Sequence, residues 1–261
     1  MTSTVDQRLK ATSFRALHVA GSPLILFNVW DAGSAKAVAD SGARALATGS
    51  WSVAAANGYA DGEKLPFDLA LENVRRIVSS SNLPVTFDIE SGYGSDASSV
   101  GHTISRAIET GVVGCNLEDS YPESGKLRPL ADAVARVRGA RAAAKEGLSS
   151  FFINARTDVF FQAPANEHTH DMLETAIERA RAYADAGADG IFAPGLIDLA
   201  LIAELASSIS LPLNIMIGEG SPSIESLAKA GVARVSHGPG PYRSAMSALA
   251  TAALAALQYA P

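Results

Sequence analysis

The feature that most narrows the fold is a repeated punctuation. Four segments with helical spacing of apolar positions end alike: DSGAR (40–44), ETGVVG (109–114), DAGADG (185–190) and KAGVAR (229–234). A glycine just past the last helical turn takes the left-handed backbone that stops a helix, and a strand can start within a few residues. Eight short apolar runs punctuate the chain: LILFNV (24–29), ARALATG (43–49), LPVTFDIE (83–90), VVGCNLED (112–119), SFFINARTD (150–158), ADGIFAPG (188–195), LPLNIMIG (211–218) and ARVSHGPG (233–240). Between most of them lie helical segments such as DLALENVRRIVSS and MLETAIERARAYADAG. Strand–helix alternation repeated eight times predicts parallel strands with crossover helices. Eight such units in 261 residues predict an α/β chain folded as one (β/α)8 TIM barrel domain, 1–261, rather than an open doubly wound sheet. The glycine fingerprint of a dinucleotide site is missing after the first run, which reads FNVWDAGSA. The first twenty residues predict an extra helix ahead of the barrel. The Ala-rich tail SALATAALAALQ predicts a last helix placed to pack on a partner subunit.

Composition removes several function classes. Hydrophobic residues make up 48% and charged residues 18%, enough apolar material for a large core and too little charge for disorder. The net charge of −6 argues against nucleic acid or an anionic membrane surface as partner. The single cysteine, Cys115, precludes an intrachain disulfide or a thiolate metal cluster and suits a reducing compartment. The N-terminal stretch lacks the apolar core of a secretion signal, and no apolar run approaches the roughly 20 residues of a membrane span. A soluble cytoplasmic protein is the expectation.

In such a barrel the catalytic groups gather at the C-terminal ends of the strands. The polar residues fall there: Asn28 and Asp31; Thr48, Gly49, Ser50 and Trp51; Asp88 and Glu90; Asn116, Glu118 and Asp119; Asn154, Arg156, Thr157 and Asp158; Asn214; Ser236 and His237. Asp88 and Glu90 stand two apart, which in a strand puts both on one face. With Glu118 and Asp119 from the next strand they form a cluster that needs a proton, an arginine or a cation to neutralise it. A hard, oxygen-seeking ion fits best: Mg²⁺, with Mn²⁺ as a substitute. The competing expectation is structural pairing with Arg156, Arg44 or Arg234. If a metal takes the acids, Arg156 is free to bind an anionic substrate group bidentately. His168 and His170 read as a solvated loop, and Cys115 as a small buried side chain. His237 and Asn214, at the last two strand ends, are candidate substrate contacts.

These residues, in this order, resemble the isocitrate lyase/phosphoenolpyruvate mutase superfamily. The likeness runs from FNVWDAGSA through TGSWSVAAANGYADGE, DIESGYG, NLEDS and NARTD to SHGPGPYRSAM. The resemblance implies a (β/α)8 barrel whose last helix is usually swapped between subunits, commonly in dimers or tetramers. It also implies Mg²⁺-dependent making or breaking of C–C or P–C bonds next to a 2-oxo acid, through an enolate. By position, Asp88 resembles the direct metal ligand, while Asp61, Glu90 and Glu118 resemble the acids that hold metal-bound water. Asp61 lies in the loop after the second strand, where strand-end reasoning does not look. Gly49, Ser50 and Trp51 resemble the segment that holds the substrate carboxylate. Arg156 resembles the arginine on its other anionic end; Arg156, Glu118 and Asp61 are thus the catalytic candidates. One departure matters. The lyases of isocitrate and 2-methylisocitrate carry a Lys-Arg-Cys-Gly-His loop after the fourth strand, and the phosphonopyruvate enzymes a paired-lysine loop. Here the stretch is EDSYPESGKLRPL, with neither. The expected activity is a Mg²⁺-dependent lyase, splitting a C–C bond or decarboxylating a small 2-oxo or 2-hydroxy carboxylate. Phosphonate P–C chemistry and non-catalytic binding of a 2-oxo acid are the alternatives.

Overall fold

The computed structural model describes residues 4–258. Eight parallel strands form the predicted barrel: β1 (Leu24–Leu26), β2 (Leu46–Ala47), β3 (Val85–Asp88), β4 (Gly114–Glu118), β5 (Phe152–Arg156), β6 (Gly190–Phe192), β7 (Leu213–Met216) and β8 (Arg234–Ser236). Each lies inside one of the eight apolar runs. The hydrogen-bonded order is β1-β8-β7-β6-β5-β4-β3-β2. Between β1 and β2 the ring is joined by one parallel bridge, Val29 to Thr48. The helices, in chain order, are α1 (Thr4–Ala16), α2 (Ala32–Asp40), α3 (Ser50–Ala56), α4 (Phe67–Ser79), α5 (Ala97–Ile108), α6 (Leu130–Gly147), α7 (His170–Ala186), α8 (Leu199–Ser208), α9 (Ile224–Lys229) and α10 (Gly240–Leu257). The four punctuating glycines, Gly42, Gly111, Gly187 and Gly231, all have φ between 88° and 101°. That left-handed turn releases the chain directly into the next strand.

The extra helix α1 closes the N-terminal end of the barrel, opposite the strand ends that carry chemistry. Phe14 meets the Phe152 ring edge-on at 5.5 Å, and His18, just beyond α1, stacks on the same ring at 4.2 Å. Burial and the Arg234 guanidinium push the His18 imidazole down to about 3, so it is neutral. Above this apolar plug the interior turns polar. Asn154 donates to Asn116 Oδ1 (2.9 Å) and to Asn214 Oδ1 (3.1 Å), and Arg234 donates to Asn116 Oδ1 (3.1 Å). Branched apolar side chains ordinarily fill such a layer. Here an amide belt forms the floor of the mouth.

The last helix does not complete the outer ring. After Pro241 the residues of α10 are exposed or half-buried, with Leu249, Leu254 and Leu257 open to solvent. An apolar groove remains on the outer face of β1, lined by Ile25, Phe27, Ala37 and Val38. No helix among the described residues is long and apolar enough to cross a membrane.

Candidate functional site

The C-terminal mouth of the barrel holds a cavity of about 180 Å³. Its wall has two halves. From β2 to β5 come Ser50, Asp61, Asp88, Asn116 and Arg156; from β6 to β8 come Phe192, Pro194, Met216 and Pro239. Trp51 and Phe161 stand at the junctions. A more open pocket adjoins the first half, sharing Asp61 and Arg156 and adding Glu90, Glu118 and Asp158.

Asp88 ends β3 and is fixed from β2. Its Oδ2 accepts from the Ser50 N–H at 2.9 Å, and its own N–H donates to Thr48 Oγ1 at 2.9 Å. Asp61 reaches the same cavity from the loop after α3. Burial and the charge of Asp88 push its carboxyl up, against a restraining hydrogen bond from the Ser50 side chain. Asp88 and Glu90 do not share a strand face, contrary to their two-residue spacing. The strand stops at Asp88, and Glu90 has a left-handed backbone (φ 51°), so alternation does not govern it. Glu90 Oε2 accepts from Gly62 N–H (2.8 Å) and Glu63 N–H (2.6 Å), and Oε1 from the Tyr93 hydroxyl (3.0 Å). It therefore ties the Asp61 loop to β3. Burial and Asp61 push Glu90 up to about 7. Glu63 completes the tie by accepting from Ser91 Oγ (2.7 Å) and Tyr93 N–H (2.9 Å).

Arg156 is not the free guanidinium expected for a metal-occupied cluster. Its Nη1 pairs with Glu118 at 2.8 Å and its Nε with Asp158 at 2.6 Å, while the guanidinium lies 5.4 Å from the Phe161 ring. Burial opposes the charge on Arg156, but the two carboxylates outweigh it and hold the proton. Burial drives Glu118 well up despite that pairing. Asp119 leaves the cluster altogether. It accepts from Arg179 (3.0 Å), the Tyr183 hydroxyl (2.6 Å) and the Asp158 N–H (2.9 Å), which makes it a buried tie between β4, β5 and α7.

Six residues given a site role from the sequence line the one cavity, Gly49, Ser50, Trp51, Asp61, Asp88 and Arg156, and the strand-end polar residues Asn28, Asn116 and Ser236 line it with them. Glu90 and Glu118 border the adjoining pocket. Asn214 and His237 line neither. Asn214 is buried in the belt, its amide donating to Ile215 O, Arg234 O and Ser236 Oγ. The His237 ring turns toward Leu26 O and Phe27. Depth accounts for where Asn214 lies and strand parity for His237. Asn214 and Met216 share the inward face, but Met216 is nearer the mouth; Ser236 points in, so His237 points out. The same parity, applied to the ends of β6 and β7, marks Phe192 and Met216, which polarity-based reasoning passed over. Gly238 leaves room for Met216: a Cβ there would lie 2.4 Å from the Met216 sulfur. Asn28 was legible as a strand-end polar residue. Its amide donates to Thr48 O and accepts from the His237 and Gly238 N–H groups, closing the β1–β2–β8 seam.

After β4 the chain folds back as a short hairpin joined at Ser120 and Leu127, with Tyr121, Glu123 and Lys126 exposed and Arg128 stacked on the Tyr121 ring at 4.2 Å. Among the described residues no three His, Cys, Asp or Glu side chains stand close enough to hold one ion together. Magnesium asks for less, since one or two carboxylates and several waters complete its shell. The donors here are hard oxygens, and Asp61, Glu90 and Glu118 are all strained toward protonation by burial, with neighbouring acids adding to it. This set suits Mg²⁺ and lacks what zinc prefers.

The family model described as phosphoenolpyruvate phosphomutase matches residues 14–257. A crystal structure from Burkholderia cenocepacia J2315, described as "a putative phosphonomutase", is 53% identical with a TM-score of 0.92, covering 94% of this chain and 97% of that one. The 2-methylisocitrate lyase of Escherichia coli (strain K12) is 29% identical over 209 residues, 77% of this chain and 67% of the lyase. An oxaloacetate decarboxylase of Pseudomonas putida (strain ATCC 47054 / KT2440) is 30% identical over 249 residues, 90% of this chain and 81% of the decarboxylase.

Proposed function

Because the chain belongs to the phosphoenolpyruvate phosphomutase family, we propose that it is a Mg²⁺-dependent lyase. It breaks a carbon–carbon bond, by cleavage or decarboxylation, in a small 2-oxo or 2-hydroxy carboxylate by way of an enolate. The observation that carries this reading is the convergence of Asp61, Asp88 and Arg156, from three separate strand-end segments, on one small cavity. Asp88 would hold the ion, with Asp61, Glu90 and Glu118 as outer support. Bound there, the metal supplies a Lewis acid for the carbonyl beside the scissile bond. The chain's own groups do the rest. Trp51 and Ser52 lie in the first turn of α3, behind Ser50 whose N–H goes to Asp88, so their N–H groups have no acceptor within the helix, and the buried Ser52 hydroxyl has no partner. Together they offer three donors to a substrate carboxylate. Arg156, held cationic by Glu118 and Asp158, stabilises negative charge that develops on the enolate oxygen.

The hairpin after β4 carries no Cys or His, so cleavage of isocitrate or 2-methylisocitrate through a loop cysteine is not the reaction proposed. The Burkholderia relative favours a second reading, phosphonate P–C chemistry, which the missing paired lysines weigh against. The test is a set of 2-oxo and 2-hydroxy acids plus phosphonopyruvate, incubated with Mg²⁺ and with EDTA. Release of CO₂, pyruvate or glyoxylate that EDTA abolishes supports the lyase; phosphate from phosphonopyruvate selects the second reading.

The assembly proposed is a homo-oligomer in which α10 of one subunit fills the β1 groove of another. In a closed barrel the helix after β8 would cover that face, and here α10 leaves it bare. Light scattering of the full chain, with Leu249→Glu as the disrupting variant, tests it.

A further inference from the structure

We propose that the Asn116 amide donates to the substrate oxygen on which the enolate charge develops, as a second donor beside Arg156. The buried Arg234 is the positioning residue that turns the amide that way. The proposal rests on the 2-oxo acid reading of the site and deepens it. The strand register supplies the first ground. Asp88 of β3 pairs with Asn116 of β4, and Asn116 with Asn154 of β5, while Arg156 stands two residues beyond Asn154 on the same face. An oxygen placed beside Asp88 and within reach of Arg156 therefore lies over β4, where Asn116 lines the cavity. Glu118, the next inward residue of β4, is paired with Arg156 and borders the adjoining pocket instead.

The second ground is which end of the amide faces up. An asparagine amide fits either way round by shape, but a guanidinium carries donors and no acceptor. Arg234 Nη2 lies 3.1 Å from Asn116 Oδ1, and Asn154 Nδ2 lies 2.9 Å from the same oxygen while also donating to Asn214 Oδ1. Turning Asn116 over would set its own N–H groups against the guanidinium. The oxygen is thus held from within the belt, and Nδ2, which has no partner among the described residues, is left to the cavity. Arg234 is directed at this one contact. It is fully buried, its Nε and Nη1 have no partner, and Asn116 is the one side chain it donates to among the described residues. Burial pushes the guanidinium down to about 9, against the charge of Asp88, so it remains cationic at neutral pH. A cation on the amide oxygen also polarises the amide and strengthens donation from its nitrogen. The donor is fixed before substrate arrives, which is what stabilising a developing charge requires.

The experiment is calorimetry on the full chain in Mg²⁺ with two probes. Oxalate is a planar dianion that carries charge where pyruvate carries a neutral keto oxygen. Asn116→Ala is expected to weaken oxalate roughly a hundredfold and pyruvate tenfold or less, because the donor acts on charge. Arg234→Met should weaken oxalate about tenfold, and the double variant should bind no more weakly than Asn116→Ala alone. Arg234→Lys, another donor without an acceptor, should recover most of the loss. Equal losses for the two probes in Asn116→Ala overturn donation to the charged oxygen. Additive losses in the double variant overturn the positioning role of Arg234, since an arginine that only supports the fold would act independently of Asn116. Where Arg234→Met does not fold, Asn116→Asp keeps an acceptor for Arg234 and removes the donor; native-like oxalate affinity in that variant overturns the proposal. Oxalate that fails to bind the native chain in a Mg²⁺-dependent way overturns the 2-oxo acid reading itself. Mg²⁺-dependent binding that Asn116→Ala leaves intact overturns this proposal alone.

Discussion

The ends of β2–β5 and of β6–β8 are built by the same backbone geometry, yet they differ in kind. The first arc presents carboxylates and one arginine, each held by hydrogen bonds from a neighbouring strand or loop. The second presents one phenyl ring, a thioether, two prolines and, as its one polar side chain, Ser236. A closed barrel lets each strand end vary independently, because the sheet's hydrogen bonds do not depend on which side chain faces the mouth. The contrast divides labour: charge is handled on one side, shape on the other.

Asp88→Asn is the change that would break this contrast most completely. It is expected to lower Mg²⁺-dependent turnover by on the order of 10²–10³-fold with an unchanged circular dichroism spectrum. Native-like magnesium affinity in that variant would remove the metal from the charged arc. Arg156→Ala should weaken substrate by roughly a hundredfold while changing metal affinity far less; steady-state kinetics beside metal titration separate the two, and a loss confined to the metal would make Arg156 structural.

A smaller effect concerns pH. Glu90 sits at about 7, raised by burial and Asp61 from an ordinary 4.5. The folded state thus binds this proton more tightly than the unfolded state. The resulting stabilisation is complete below about 4.5 and is lost as pH rises through about 7. The metal-free chain should therefore melt at lower temperature across that window as pH increases, and Mg²⁺ should offset the loss at the upper end. A melting temperature that climbs instead would show that the acid arc carries no such strain. Least of all, Met216→Ala should change substrate affinity by about tenfold or less and leave magnesium binding alone.

Much of the site was legible because polarity at a strand end has few structural excuses. Asp88, Arg156 and the Gly49–Trp51 segment could be read from their position alone, and Asp61 only through resemblance, since it lies in a loop. Other strand-end polar residues lie away from the cavity, where parity or depth takes them. Asp119 adjoins Glu118 in sequence, but alternation turns it outward to Arg179 and Tyr183. His237 likewise turns outward, Asn214 points inward but lies a layer below the cavity, and Phe192 and Met216 look like core because they are apolar residues near strand ends.

The amino-acid order by itself determined the barrel, through eight apolar runs and the glycines that must end helices in left-handed backbone. It also determined which carboxylates exist to be neutralised. Only the tertiary structure decided how they are neutralised. Arg156 is shared between Glu118 and Asp158, Glu90 is engaged by the Asp61 loop, and Asp119 is taken into the wall. Local sequence sets the direction of a side chain along its own strand. An ion pair is set by distances of about 3 Å between segments far apart in the chain, and those exist only once the ring of strands has closed.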